Sequence, residues 1–218
     1  MEALTTQQIL DARLGDWRRL ARALHARFRT GSFTAGLAFV TAITEAAQAA
    51  NHHPDVTLTY PFVDLSLISH DVGALTQRDV DLAGRISEIA REQGISAEPG
   101  AVAEIELGLD TADAAALAPF WAALLTGSPD AVDDEGDVLD PGGRVPLLWF
   151  QHTDAHDTPR QRFHLDVWVP HDLAEKRIAA AVAAGGIIVD NANAPSFVVL
   201  ADPEGNRACV CTCLDRQS

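Results

Sequence analysis

A proline at position 54 divides two hydrophobic periods, and that division limits the folds open to the first half of the chain. Before it, over residues 33–50, Leu37, Val40, Ile43, Ala47 and Ala50 recur at helical spacing, as expected for a helix with one apolar face. Ser32 or Thr34 is the expected cap, and Pro54 stops the run. After it the period drops to two. Val56, Leu58 and Tyr60 alternate with polar residues, and Val63, Leu65 and Leu67 alternate with Asp64 and Ser66, the pattern of half-buried strands. Pro61 between these runs predicts a bend or bulge. Thr76 is the expected cap of a second helix from 77 to about 93, ended by Gly94. Upstream, Thr5 or Thr6 caps a short helix through about Ala12, and residues 17–20 and 23–28 read as a strand hairpin. The first half therefore reads β-β-α-β-β-α behind a leading helix, with Glu98-Pro99-Gly100 as a linker.

The second half has a different rhythm. A strand over 103–109 precedes a helix over 113–125. An acidic stretch rich in Gly and Pro, 128–143, reads as short hairpin strands and turns. Strands follow at 145–151 and 162–169, separated by a polar loop that contains His152 and His156. A helix over 172–184 ends at Gly185-Gly186, and strands at 187–190, 197–201 and 207–213 complete the pattern. This is β-α-β-β-β written twice. The whole chain is thus an α+β protein with domains at 1–98 and 101–218.

Charge and composition exclude several partners. The net charge of −15 opposes nucleic acid and anionic membrane surfaces. It is uneven: residues 1–100 carry 9 Arg against 12 acidic residues, and residues 101–218 carry 7 Lys/Arg against 19. No run approaches the roughly 20 apolar residues that span a bilayer, and no basic region followed by an apolar run marks a secretory leader. A cytoplasmic protein is expected, and the Ala, Val, Asp and Arg usage, with Lys176 as the one lysine, points to a bacterial source. Cys209, Cys211 and Cys213 alternate as residues on one face of a single strand would. That spacing is poor for a disulfide.

Chemistry concentrates in one string: Asn51-His52-His53-Pro54, then Tyr60, His70 and Asp79. It holds three of the eight histidines, and imidazole is the side chain that exchanges a proton near neutral pH. Taken singly, a histidine after a helix often meets only its last carbonyls, and an aspartate in a first turn suits the helix dipole.

The pattern as a whole resembles the pterin-4a-carbinolamine dehydratases. The resemblance rests on His52, His53 and Pro54, on Tyr60, on His70 after nine intervening residues and on Asp79, with Phe39-Val40 and residues 46–51 of the preceding helix also similar. It covers about residues 5–98. The resemblance implies a hydro-lyase of tetrahydrobiopterin recycling. His52 and His70 would be the acid–base pair, with His53, Asp79 and Gln48 on the substrate side and Asp79 orienting a histidine or a helix end. Gln48 occupies a position that is often acidic in the family. An amide there hydrogen-bonds an imidazole but does not stabilise an imidazolium by charge. The pterin is the substrate, and no cofactor is implied.

Residues 101–215 resemble a glyoxalase, or vicinal-oxygen-chelate, domain. Asp113, Phe120-Trp121, Leu124-Leu125, Phe163-His164-Leu165-Asp166-Val167 and Asp202-Pro203-Glu204-Gly205-Asn206 carry that resemblance. Metal-binding members take His or Gln, His, and Glu from three strands, and the matching residues here are Glu106, His164 and Cys209. Only His164 conforms, so a divalent metal is not expected, and the cysteines are expected to be small buried residues. Trp121, Trp149 and Trp168 would line a core or a cup. The alternative to the dehydratase reading makes this domain the main functional unit, a metal-dependent lyase or dioxygenase or a small-ligand binding protein. A third reading is a non-enzymatic dimerisation protein, for which the histidines would serve no purpose. Relatives of both domains associate, so a homo-oligomer is expected.

Overall fold

The computed structural model describes residues 2–126, 128–143, 145–154, 163–183, 186–201 and 207–216. They form two compact units. The first holds residues 2–103 with two short segments from later in the chain, 169–173 and 212–216. The second holds 104–168 and 174–211 where described. Among the described residues, no helix is long and apolar enough to cross a membrane.

The first unit begins with α1 (Thr6–Asp11) and the hairpin β1 (Arg18–Leu20) and β2 (Ala23–Arg29). Helix α2 (Phe33–Ala50), strands β3 (Asp55–Leu58) and β4 (Phe62–Leu67), and helix α3 (Gln77–Glu92) follow. A two-residue strand β5 (Ser96–Ala97) pairs with Phe28 and Arg29 of β2. Sequence reading takes this segment for the approach to a linker, because two residues are too few to show a period. The antiparallel order is β1-β2-β4-β3. Alternation along β2 and β4 turns Leu24, Ala26, Phe28, Val63, Leu65 and Leu67 to one face. There they join Phe39, Ile43 and Ala47 of α2 and Leu82, Ala83, Ile86 and Ile89 of α3 in one core. Helix α2 lies close to β3: a Cβ on Gly36 would meet Leu58 Cδ1 at 2.5 Å, so glycine is the residue this approach admits.

Both long helices begin as their sequences direct. Ser32 Oγ accepts the Ala35 amide at 3.1 Å, and Thr76 with Asp79 closes a capping box on α3. Helix α2 ends on Asn51, which takes a left-handed conformation with φ 47°, a geometry that Asn tolerates better than most residues. The next amide, of His52, then donates to the Ala47 carbonyl at 3.1 Å, the outer bond of a Schellman turn.

The second unit starts with β6 (Glu104–Thr111) and α4 (Ala114–Thr126), followed by β7 (Leu148–His152) and β8 (Phe163–Trp168). A 3-10 turn (His171–Leu173), grouped with the first unit, leads into α5 (Ala174–Ala183). Strands β9 (Ile187–Asp190), β10 (Phe197–Ala201) and β11 (Arg207–Cys211) complete a sheet of order β7-β6-β8-β11-β10-β9. The acidic stretch between α4 and β7 contributes single bridges, Val132 to Val138 and Val138 to Leu148. Leu109 and Leu148, with Leu107 and Phe150, pack against Ala122, Leu117 and Trp121 of α4. The three cysteines do not share one strand: β11 ends at Cys211, and Cys213 lies beyond it. A two-residue period continues past a strand end as readily as within one, so spacing alone does not mark the boundary.

On β2, His25 is the register partner of both Arg18 and Ser66, on the sheet face away from the helices. Burial pushes its pKa down from 6.5 to about 4. The folded protein therefore binds this proton less readily than the unfolded chain. The stability that His25 contributes is whole above pH 6.5 and is lost as pH falls through the window toward 4. We expect the stability difference between wild type and His25→Gln to change by about 2–3 kcal/mol between pH 7 and 4.5. Urea unfolding of both proteins at the two pH values measures it. A constant difference would mean that His25 titrates normally.

Candidate functional site

Three segments converge around one buried carboxylate. The turn that ends α2 delivers His52, the end of β4 delivers Ser69, and the first turn of α3 delivers Asp79 and Thr76. Asp79 is 0% exposed and His52 7%. His52 Nε2 lies 2.7 Å from Asp79 Oδ1. The other oxygen, Oδ2, accepts the Thr76 amide at 2.7 Å and the Ser69 hydroxyl at 2.7 Å. Thr76 Oγ1 stands 2.8 Å from Ser69 Oγ and 3.2 Å from Oδ2. A buried charge is tolerated where its lone pairs are filled in this way.

A backbone amide only donates, so Asp79 acts as an acceptor toward Thr76. An ionised Asp79 accepts at both oxygens, so a neutral His52 beside it would carry its hydrogen on Nε2 and donate it to Oδ1. The lone pair is then on Nδ1.

The remaining histidines are outside this buried set. His53 and His70 are exposed. His70 directly follows Ser69, in a tight loop where the Val72 and Gly73 amides both donate to the Ser69 carbonyl at 2.9 Å. Ser69 also bridges to Ala74, and Arg78 pairs with Asp71 across the loop. The network thus anchors the backbone on which His70 stands. Gln48 is exposed in the last turn of α2, and its carbonyl receives the Asn51 amide at 3.2 Å.

Asp79, expected on the substrate side, has no exposed surface. Its oxygens serve His52 and the start of α3, so in this structure it meets a bound molecule only through His52. Sequence reading names Thr76 as a cap but misses Ser69. A lone serine before a histidine carries no spacing signal, and its role depends on a contact ten residues away.

The candidates in the second unit lie on neighbouring strands. Glu106 on β6, His164 on β8 and Cys209 on β11 share the sheet face that does not carry α4. Trp121 packs instead on the α4 side, edge-on to Phe163 at 5.4 Å. His156 and the run from Asp202 to Asn206 lie outside the described residues.

A sheet backed by two helices, with one imidazole set against a buried carboxylate, defines a small α+β domain with an imidazole–carboxylate site. The family model for pterin 4 alpha carbinolamine dehydratase matches residues 2–89, and a model for a glyoxalase-like domain matches 106–211. A Roseiflexus castenholzii protein named "Putative pterin-4-alpha-carbinolamine dehydratase" is 41% identical over 92 residues, which cover 99% of that protein and 41% of this chain. A Nocardia farcinica protein of the same name is 40% identical over 92 residues, covering 97% of it and 41% of this chain. Among solved structures, a transcriptional coactivator/pterin dehydratase from Brucella melitensis aligns with 25% identity and a TM-score of 0.39, over 41% of this chain and 99% of that one. The chain belongs to the pterin-4a-carbinolamine dehydratase family through its first unit, and carries a glyoxalase-like domain after it.

Replacing Asp79 by Ala strands a backbone amide, a hydroxyl and an imidazole N–H in a buried site. We expect a loss of about 3–5 kcal/mol in urea unfolding, against about 1–2 kcal/mol for Ser69→Ala, which removes one donor. A loss below about 0.5 kcal/mol for Asp79→Ala, the size of an ordinary surface change, would contradict this network.

Proposed function

We propose that the first unit dehydrates pterin 4a-carbinolamines. The reaction removes hydroxide from C4a and a proton from N5. The electron pair of the N5–H bond becomes the N5=C4a double bond, and water and a quinonoid dihydropterin leave. An acid at the hydroxyl and a base at N5 are the groups the chemistry requires, and imidazole side chains can serve as either. In this reading His52 and His70 are the acid–base pair, and His53 and Gln48 position the pterin ring. Asp79 is a positioning residue that acts through His52.

The observation that supports this reading best is the His52–Asp79 contact. It orients one imidazole, and in this reading Asp79 holds the Nε2 hydrogen and Nδ1 is the nitrogen that exchanges a proton. His70 stands on a loop tied to the same network, so both rings are carried on connected backbone. The named relatives and the matched family model favour the same reaction.

The test is the rate of carbinolamine dehydration above the spontaneous background, measured with the full chain. His52→Ala and His70→Ala should each lower it by about 10²-fold or more, the usual scale of general acid–base catalysis, and the double variant should approach background. Wild-type protein that adds nothing to the spontaneous rate would overturn the proposal.

A further inference from the structure

The second unit gathers a separate set of ionisable side chains on the sheet face without α4. Glu106 is the register partner of Asp166, and Asp166 is that of Cys209. The three therefore form one row across β6, β8 and β11. His164, two residues before Asp166, shares their face. Its ring lies over its own partner, Gly108, where a Cβ would meet ring atoms at 2.3 to 2.8 Å. Trp149 of β7 meets the ring edge-on, with centroids 5.0 Å apart. The imidazole is held on two sides.

The donors that come together are not those of the glyoxalase pattern. Glu106, matching the first-strand ligand, receives the Trp168 Nε1 hydrogen at 2.5 Å in a buried contact. His164, Asp166 and Cys209 instead place one ligand atom each within 4.8 Å of one another. His164 Nε2 is 3.6 Å from Asp166 Oδ1, and its Nδ1 is 3.8 Å from Asp110 Oδ1.

We propose that His164, Asp166 and Cys209 bind one zinc ion. Zinc takes nitrogen and oxygen ligands at about 2.0–2.2 Å and sulfur at about 2.3 Å, so tetrahedral donors stand about 3.3–3.8 Å apart. Donors already within 4.8 Å reach that spacing by small side-chain movements on a fixed sheet. Nε2 is the ligating nitrogen. Nδ1 then faces Asp110, where a carboxylate orients a metal-bound imidazole. Zinc is favoured over magnesium or manganese because a thiolate and an imidazole are poor ligands for those ions. Three protein ligands leave a fourth position open. This site stands apart from the dehydratase reading, and failure of one leaves the other intact.

The experiment uses full-length protein without a polyhistidine tag, stripped with chelator and titrated with Zn²⁺ and then with Co²⁺. One equivalent of zinc should bind. The cobalt form should show a thiolate-to-metal charge-transfer band and the d–d bands of a tetrahedral ion. Cys209→Ser should abolish the charge-transfer band, while Asp110→Asn should keep it and weaken binding by about 10–100-fold, the usual size of outer-sphere effects. Substitution of Asp133 and Asp137 by Asn, half-buried in the acidic loop before β7, should change neither result. Substoichiometric zinc, or a cobalt spectrum unchanged by Cys209→Ser, would overturn the proposal.

Discussion

One carboxylate ties together the parts of the first unit that carry its chemistry. Asp79 Oδ2 closes the cap of α3, and Oδ1 holds His52 at the end of α2. A fully buried charge is costly unless each lone pair finds a donor. That requirement explains the company it keeps: a backbone amide, two hydroxyls and an imidazole N–H. The same atoms that begin a helix also orient a histidine. The cap therefore cannot be altered without disturbing the site.

The scaffold around that carboxylate is closely packed. Phe28 and Phe39 meet edge-on with centroids 5.2 Å apart at the centre of the core, between the sheet and α2. The Schellman turn at Asn51 sets the direction in which His52 leaves the helix, and Pro54 prevents the helix from continuing. Across the site, the loop after β4 is pinned by paired amides on the Ser69 carbonyl. His53 and His70, both exposed, stand on backbone whose position is fixed from below. Such an arrangement suits imidazoles that must meet a small molecule without reorganising.

Much of this was legible in the residues themselves. The limits of α2 follow from Ser32, the helical period and Pro54, and Thr76 with Asp79 is readable as a helix start. The histidine string stands out because its residues share a titration range and a spacing. What stayed hidden depends on register. Alternation tells which residues of a strand share a face, but not which residue of the next strand lies beside them. Glu106 thus stood out only as the residue matching the first-strand ligand of the resemblance, and pairing adds what the motif does not show, Asp166 opposite and Trp168 within reach. Ser69 was hidden for the same reason, as was β5, too short to display a period.

The two units use their histidines differently. In the first, a buried carboxylate lies 2.7 Å from Nε2 of His52. In the second, His164 Nε2 lies 3.6 Å from the carboxylate of Asp166 on its own strand, with the Cys209 thiol on the next strand. The account of the first unit rests on the tautomer of His52, which nitrogen-15 NMR of the imidazole rings reads directly. The His52 spectrum at neutral pH should show a protonated Nε2 and a pyridine-like Nδ1, and the Asp79→Asn variant should lose that preference. A wild-type His52 protonated at Nδ1 with a bare Nε2 would contradict the account, because Asp79 would then hold no proton of this ring.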